Sequence, residues 1–197
     1  MTDETPVPEI ATEEPPTPTL PPPLDGLAEA FPDAIFEASV AGQNVARVDA
    51  SHLVEFAQAA RDAGFEMFVD VTAVDYYRQR PGPRYDIVVG LLSLQHNTRL
   101  RIRVAVDGEI PAAPSITGVY PGANFYEREV YDLFGIDFPG SPGVNDVFIL
   151  VGWNDIPPSR RDFDTLSYSV ESFRHRPGRE SRDPAQHLND RLYPDES

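Results

Sequence analysis

The chain has no cysteine and no lysine. Without cysteine it can form no disulfide bond, no thiolate zinc site and no cysteine-ligated iron–sulfur cluster. Its 16 basic side chains are all arginines, and 32 acidic side chains outnumber them, so the net charge is −16. A field this negative argues against nucleic acid as the main partner and against electrostatic docking on anionic lipid.

Long apolar runs are also missing. The longest, residues 87–94, is well short of the roughly 20 residues that a membrane-spanning helix needs. The first residues are acidic and contain no hydrophobic signal core. We therefore expect a protein with no membrane span and no secretory signal, which fits the cytosol.

Residues that could carry chemistry are scattered along the chain. The histidines do not share metal-ligand spacing with one another; they are His52, His96, His175 and His187. Neither the glycine-rich phosphate loops nor the G-x-S-x-G elbow of serine hydrolases occurs. Asp162 and Asp164 could act as a general acid and base, but such pairs arise by chance in so acidic a chain. We expect no catalytic residue, no metal and no cofactor in this chain.

Composition divides the chain into three segments. Residues 1–23 contain eight prolines and five acidic side chains but no cation, which predicts a disordered tail. Residues 24–135 have the patterns of a folded core domain. Residues 136–197 are irregular and interrupted by proline and glycine, which predicts an extended C-terminal arm that is either loose or laid over a partner.

Hydrophobic periodicity predicts the elements of the core domain. Helices are expected at residues 24–31 and from a cap at Ser51 to Gly64. Strands are expected at residues 34–40, 45–48, 65–77, 85–94 and 98–106. The last strand alternates apolar and mostly arginine side chains, so one face of its sheet must be covered. The predicted fold is therefore α+β, a two-layer domain with a mixed sheet of about five strands and helices on one face.

The other face of the last strand carries Arg99, Arg101 and Arg103. These arginines can form a solvated face, on which their long side chains cover neighbouring residues. The alternative is that they dock an acidic or phosphorylated surface, which suits the guanidinium fork. The sequence leaves both interpretations open.

The segment richest in information is residues 120–136, YPGANFYEREVYDLFGI. It predicts a short amphipathic helix that Asn124 caps, with Glu127 as the returning side chain of a capping box. Arg128 and Asp132 have the spacing of a pair on the exposed side. The aromatic side chains and the Glu-Arg-Glu run exceed what packing needs, and aromatic and arginine side chains anchor protein–protein contacts. We interpret this helix as a partner-binding element.

The run from Asn124 to Ile136 closely resembles the pattern N-[FW]-Y-E-R-E-[VA]-[YW]-D-L-F-G-I of the 30-kDa or C subunit of the proton-pumping NADH–quinone oxidoreductase, respiratory complex I. Residues 70–76, DVTAVDY, are similar to the central strand of that family. A weaker match is Trp153 followed by the run RRDF at residues 160–163. The resemblance covers roughly residues 24–165.

The resemblance implies a structural subunit of the hydrophilic arm that binds no cofactor. FMN and iron–sulfur clusters would lie in partner subunits, which pass electrons from NADH to quinone and couple this to proton translocation. The implied partners are the quinone-site D subunit and cluster-bearing subunits, in an obligate hetero-oligomer on which the arm docks. The implied location is peripheral, on the cytoplasmic side of the inner (plasma) membrane, and no activity is expected of the isolated chain.

We therefore predict that the helix and the arm form the partner interface. The predicted interface residues are Tyr126, Glu127, Arg128, Glu129, Tyr131, Asp132, Phe134, Arg160, Arg161 and Asp162. Two other functions stay open. One is the equivalent subunit of a related membrane-bound hydrogenase or ferredoxin-accepting complex. The other is a free adaptor domain that binds through Arg99, Arg101 and Arg103.

Overall fold

The computed structural model describes residues 20, 23–38, 43–146 and 148–172. Apart from Leu20 and Pro23, the predicted disordered tail lies outside the described residues, and so does the arm beyond residue 172. Within the described part, the helices and strands follow in the order α1 (Leu24–Ala30), β1 (Ile35–Ala38), β2 (Asn44–Arg47), α2 (Leu53–Asp62), β3 (Met67–Asp75), β4 (Tyr85–Ser93), β5 (Thr98–Val106), α3 (Ala123–Phe134) and α4 (Thr165–Ser172).

The strands form one sheet in the order β1-β2-β5-β4-β3. The β2–β5 pair is parallel, and the other three pairs are antiparallel. The parallel pair is possible because a long crossover, which includes α2 and the β3–β4 hairpin, separates β2 from β5. The predicted α+β fold with a mixed five-stranded sheet is therefore confirmed.

One face of the sheet and the helices enclose the core. The apolar side chains of β5 are buried there, together with those of β4, α1 and α2. Phe56 of α2 lies at the centre of an aromatic group, with ring centroids 5.0 Å from Phe31 and 6.2 Å from Phe36. Burial of such large rings is the main source of stability for a domain of this size.

The start of α2 differs from the sequence prediction. Asp49, not Ser51, provides the cap, because its carboxylate accepts the backbone N–H of Ser51 at 2.9 Å and the Ser51 hydroxyl at 2.7 Å. This cap begins one turn of 3-10 helix, Ala50–His52, which leads directly into α2. An aspartate side chain satisfies free N–H groups at a helix start as a serine would.

The capping box predicted for α3 is wrong. The helix begins after Gly122 without a side-chain cap. The Asn124 side chain instead donates to the carbonyl of Pro142 at 2.6 Å and to the Ser141 hydroxyl at 3.2 Å. The predicted end is correct, since Gly135 adopts the left-handed conformation and its N–H donates to the Tyr131 carbonyl at 2.8 Å. The helix packs along β3. This packing determines which side of α3 faces away from the sheet.

Candidate partner-binding surface

Glu127 connects α3 to the loop that precedes it. Its carboxylate accepts the backbone N–H of Ile116 at 2.9 Å and the hydroxyls of Ser115 and Thr117 at 2.7 and 3.0 Å. The side chain is fully buried, at 0% exposure. Glu127 therefore holds residues 115–117 on the helix, and its predicted place at a partner interface stays a prediction.

Asp132 and Arg128 organise the first part of the arm. The Asp132 carboxylate accepts three consecutive backbone N–H groups, those of residues 148–150, at 2.6 to 3.3 Å. The Arg128 guanidinium lies over the Phe148 ring, with its carbon 4.7 Å from the ring centroid. The predicted ion pair between Arg128 and Asp132 is therefore wrong, because both side chains contact the arm and not each other.

Exposed apolar side chains concentrate where α3 meets the arm. Phe125 and Phe148 are 58% and 40% exposed, and their ring centroids are 6.1 Å apart. Val151 is 87% exposed, and Ile149 and Ile156 are exposed as well. We call these five residues the apolar patch. Exposed apolar side chains grouped in this way are typical of a site for another protein.

A groove of about 410 Å³ adjoins the patch. Tyr131 and Asp132 of α3 line it together with Trp153 and Pro157 of the arm. Ile110, which is 78% exposed, also lines it. A groove with apolar walls and a carboxylate can accept an apolar side chain of a partner that has a polar or basic residue next to it.

Further along the arm, a cluster of charges attaches it to the sheet. Arg84 at the start of β4 binds Asp75 at 2.7 Å and Asp162 at 2.7 Å. Arg161 reinforces the attachment, because its backbone N–H donates to the Asp75 carboxylate at 2.9 Å and its Nε donates to the Asp75 carbonyl at 2.8 Å. We call Asp75, Arg84, Arg161 and Asp162 the arm clamp.

The arm clamp shifts the acid–base behaviour of its carboxylates. Burial of Asp75 would raise the pKa of its carboxyl, but hydrogen bonds from Arg84 and from two backbone N–H groups outweigh burial and lower that pKa. The hydrogen bond from Arg84 likewise lowers the pKa of Asp162. The hydrogen bond to Asp75 in turn raises the pKa of the Arg84 guanidinium. All three groups are therefore held in their charged forms.

The ten predicted interface residues consequently fall into different groups. Tyr126, Tyr131 and Phe134 are half-buried against the core. Arg160 donates to the Phe134 carbonyl at 2.6 Å, while Arg161 and Asp162 belong to the arm clamp. These three arm residues thus attach the arm to its own domain, a role that the sequence did not indicate.

Glu129 is half-buried and makes no hydrogen bond or ion pair with any described residue. Among the predicted residues of α3, Glu129 is therefore a carboxylate without a bonding partner in the described part of the chain. The sequence also missed the apolar patch, whose arm residues lie in a stretch without regular periodicity. The feature of the sequence that could have indicated the patch is the number of apolar residues in so irregular a segment.

The arginine row of β5 is less uniform than the sequence indicated. Arg103 donates to the carboxylate of Asp86 and to the hydroxyl of Tyr76. Asp86 is buried and also binds Arg80. The Arg103 side chain is therefore bound within the chain. Of the three arginines through which the adaptor function was predicted to bind, only Arg99 and Arg101 remain for a partner.

No group of three or more histidine and acidic side chains close enough to hold a metal ion occurs among the described residues. None of the helices in the described part of the chain is long and apolar enough to cross a membrane.

Comparisons with known proteins agree on one family. A family model described as "Respiratory-chain NADH dehydrogenase, 30 Kd subunit" matches residues 46–169. The C subunit of NADH-quinone oxidoreductase from Methylobacterium sp. (strain 4-46) is 36% identical over 168 residues, which are 82% of this chain and 75% of that protein. The equivalent protein from Xanthobacter autotrophicus (strain ATCC BAA-1158 / Py2) is 38% identical over 146 residues, 72% of this chain and 68% of that protein.

Two solved structures are similar to the chain. "Nqo5 of the trypsin-resistant fragment (1-134)" has a TM-score of 0.54 and 31% identity, and covers 60% of this chain and 94% of its own. A chain of the "membrane-bound sulfane sulfur reductase (MBS), an archaeal respiratory membrane complex" has a TM-score of 0.70 over 81% of this chain and 95% of its own. Its 24% identity shows a shared fold alone.

Proposed function

The chain belongs to the 30-kDa subunit family of respiratory-chain NADH dehydrogenase, and we propose that it is a structural subunit that holds its neighbours in position. Its relatives are named as the C subunit of NADH-quinone oxidoreductase. The chain is thus a peripheral-arm subunit of complex I, which transfers electrons from NADH to quinone. The alternative of a hydrogenase or ferredoxin-accepting complex is not favoured by these relatives.

The apolar patch carries this proposal. Phe125 and Phe148, with Arg128 stacked on the second ring, form an aromatic and arginine group of the kind that dominates binding energy at protein interfaces. Asp132 and the arm clamp hold the arm beside α3, so the patch is preorganised before a partner arrives. The occupant that we propose is a neighbouring subunit of the same complex, with the groove accepting one of its apolar side chains.

We propose further that this subunit has no catalytic residue and that FMN and iron–sulfur clusters belong to partner subunits. The absence of cysteine supports this, because cysteine thiolates are the usual ligands of such clusters. The proposed partners are the quinone-site D subunit and the cluster-bearing subunits, on the cytoplasmic side of the membrane. Electron transfer between clusters depends steeply on distance, so a subunit that fixes its neighbours affects turnover without taking part in the chemistry.

The test is assembly of the complex around a variant patch. Phe125→Asn combined with Val151→Asn should leave the fold intact, because both side chains are mostly exposed. We expect the tagged variant, purified from detergent-extracted membranes, to lose the other NADH dehydrogenase subunits that accompany the unmodified chain. Leu94→Asn is the matched control, since Leu94 is 65% exposed in the β4–β5 hairpin and belongs to neither α3 nor the arm.

Normal assembly of the double variant would show that the patch is not the interface. Loss of assembly in Leu94→Asn as well would mean that replacing any exposed apolar residue by a polar one disturbs the complex. NADH oxidation or visible absorbance by the purified chain alone would contradict the structural role.

A further inference from the structure

The sheet face opposite the core is only partly covered by the described residues, since Val45 and Asp86 are buried on it and other positions are exposed. Arg99, Arg101 and Ala105 of β5 are exposed on this face. Strand register places Ile35 of β1 and Thr72 of β3 on the same side, and both are also exposed. We call this surface the open face.

Two cations on the open face have no counter-ion among the described residues. Arg47 is paired with Glu37 at 3.0 Å, and Arg103 is paired with Asp86. Arg99 and Arg101 make no ion pair within the described part of the chain. Two adjacent unpaired arginines are notable because the whole chain carries a net charge of −16.

The side chains next to Arg101 across the sheet are small. Its cross-strand neighbours on the open face are Val45 of β2 and Gly90 of β4. A Cβ atom on Gly90 would meet the carboxylate of Asp70 on β3 in its present position, so the glycine leaves room for that side chain. A shallow cavity of about 80 Å³ remains at this point, lined by Asp70, Gly90, Arg99 and Arg101.

We propose that the acidic N-terminal segment of this same chain, residues 1–19, docks on the open face against Arg99 and Arg101. The segment contains five carboxylates and no basic side chain. The C-terminal segment, residues 174–197, fits less well because its five arginines balance its five acidic residues. Charge complementarity therefore selects the N-terminal segment.

The segment is long enough to reach the site. It joins the described part at Leu20, which packs against the core beside α1. From α1 the chain passes directly to β1, an edge strand, and β5 lies two strands further in. Because Leu20 lies on the core side, the segment must also pass around the edge strand β1 to the other face, about 10 Å away. This distance and two strand spacings of about 10 Å are within the roughly 60 Å that 19 residues can span.

The chemistry of the segment suits such docking. Its prolines favour an extended polyproline conformation without internal hydrogen bonds, which leaves the carboxylates free to reach the arginines. Each exposed ion pair is weak and is screened by salt. Because segment and face belong to one chain, however, the docking is intramolecular and depends on no partner concentration. The docked segment would screen the open face from other acidic surfaces.

Paramagnetic broadening tests this directly, because the absence of native cysteine makes a single introduced one a unique labelling site. A nitroxide on Thr12→Cys in the ¹⁵N-labelled full chain should reduce the amide intensities of residues 99–101 about twofold or more. The effect should disappear in Arg99→Gln/Arg101→Gln and in about 0.5 M salt. Arg78→Gln, which removes an exposed arginine from the β3–β4 connection, should leave it unchanged.

Three results would overturn the proposal. The first is no broadening on the open face. The second is equal broadening of residues 99–101 by a nitroxide on Asp190→Cys, which would assign the face to the C-terminal segment. The third is broadening that occurs only when spin-labelled ¹⁴N chain is mixed with ¹⁵N chain that carries no spin label. This result would assign the binding to a second copy of the chain.

Discussion

Arg84 and Asp162 lie 78 positions apart in the sequence and form a two-point ion pair, with N···O distances of 2.7 and 3.1 Å. The same guanidinium binds Asp75 at the end of β3. Arg84 thus connects the sheet to the arm, together with the bonds that Arg161 makes to Asp75. Because the arm contributes most of the apolar patch, this pair also positions the surface that we propose for partner binding.

Removing the charge of Asp162 should loosen the arm but leave the sheet folded. Asp162 is partly exposed, so Asp162→Asn should cost about 1 kcal/mol or less. Arg84→Ala should cost about 3 kcal/mol, because it leaves the buried Asp75 carboxylate without its main partner. Trypsin cleavage after Arg160 and Arg161 should accelerate in both variants, as measured by mass spectrometry over time.

Glu37→Gln is the control for this prediction, because it removes an exposed ion pair with Arg47 at the far edge of the sheet. It should alter neither the cleavage rate nor the free energy of unfolding. An unchanged cleavage rate in Asp162→Asn would mean that the ion pair does not hold the arm.

Acid should weaken the arm clamp. The pKa values of Asp75 and Asp162 are lowered in the folded chain. A carboxylate of this kind stabilises the fold above its unfolded pKa of about 3.9, and the contribution is lost as the pH falls through the lower folded value. The free energy of unfolding in urea should thus be steady above about pH 5 and decrease below about pH 4.

This acid dependence should be shallower in Asp162→Asn, because one of the contributing carboxylates is gone. Asp107→Asn, which changes an exposed aspartate just after β5, should keep the slope of the unmodified chain. Equal slopes in all three proteins would exclude Asp162 as a source of the acid dependence. The buried Asp86, whose pKa is also lowered, contributes to the part that remains.

Glu127 should matter for folding rather than for binding. Glu127→Ala leaves the buried N–H of Ile116 without an acceptor and removes the carboxylate to which the Ser115 and Thr117 hydroxyls donate, which should cost about 3 kcal/mol. Glu127→Gln keeps the shape and one acceptor and should cost less. Urea unfolding measures both, and a loss below about 1 kcal/mol in the alanine variant would contradict a structural role.

How well the sequence predicted the structure depended on the range of the interaction. The strand β5 was predicted with its observed bounds, because alternation along the chain reflects burial on one face. Local spacing also predicted a capping role for Glu127 and a pair between Arg128 and Asp132. Both predictions were wrong, because segments distant in sequence supply better partners for these side chains. The arm clamp was beyond prediction for the same reason.

The conformation of Gly135 offers a final test of the attachment between α3 and the arm. Its φ of 71° is unfavourable for other residues, so alanine costs about 1 kcal/mol on these grounds alone. A Cβ atom would also meet the Arg160 guanidinium at 2.6 Å and Pro157 at 3.3 Å. Gly135→Ala should therefore displace the arm as well as strain the helix end, and trypsin cleavage after Arg160 should accelerate.

Gly152 provides the matched control, because its φ of 79° is similar but a Cβ atom at this position would meet nothing within 4 Å. Gly152→Ala should show the backbone cost without the faster cleavage at Arg160. The difference between the two variants isolates the contact between the helix end and the arm. If both variants accelerate cleavage equally, backbone strain alone explains the faster cleavage. The position of Arg160 would then not depend on the absence of a side chain at Gly135.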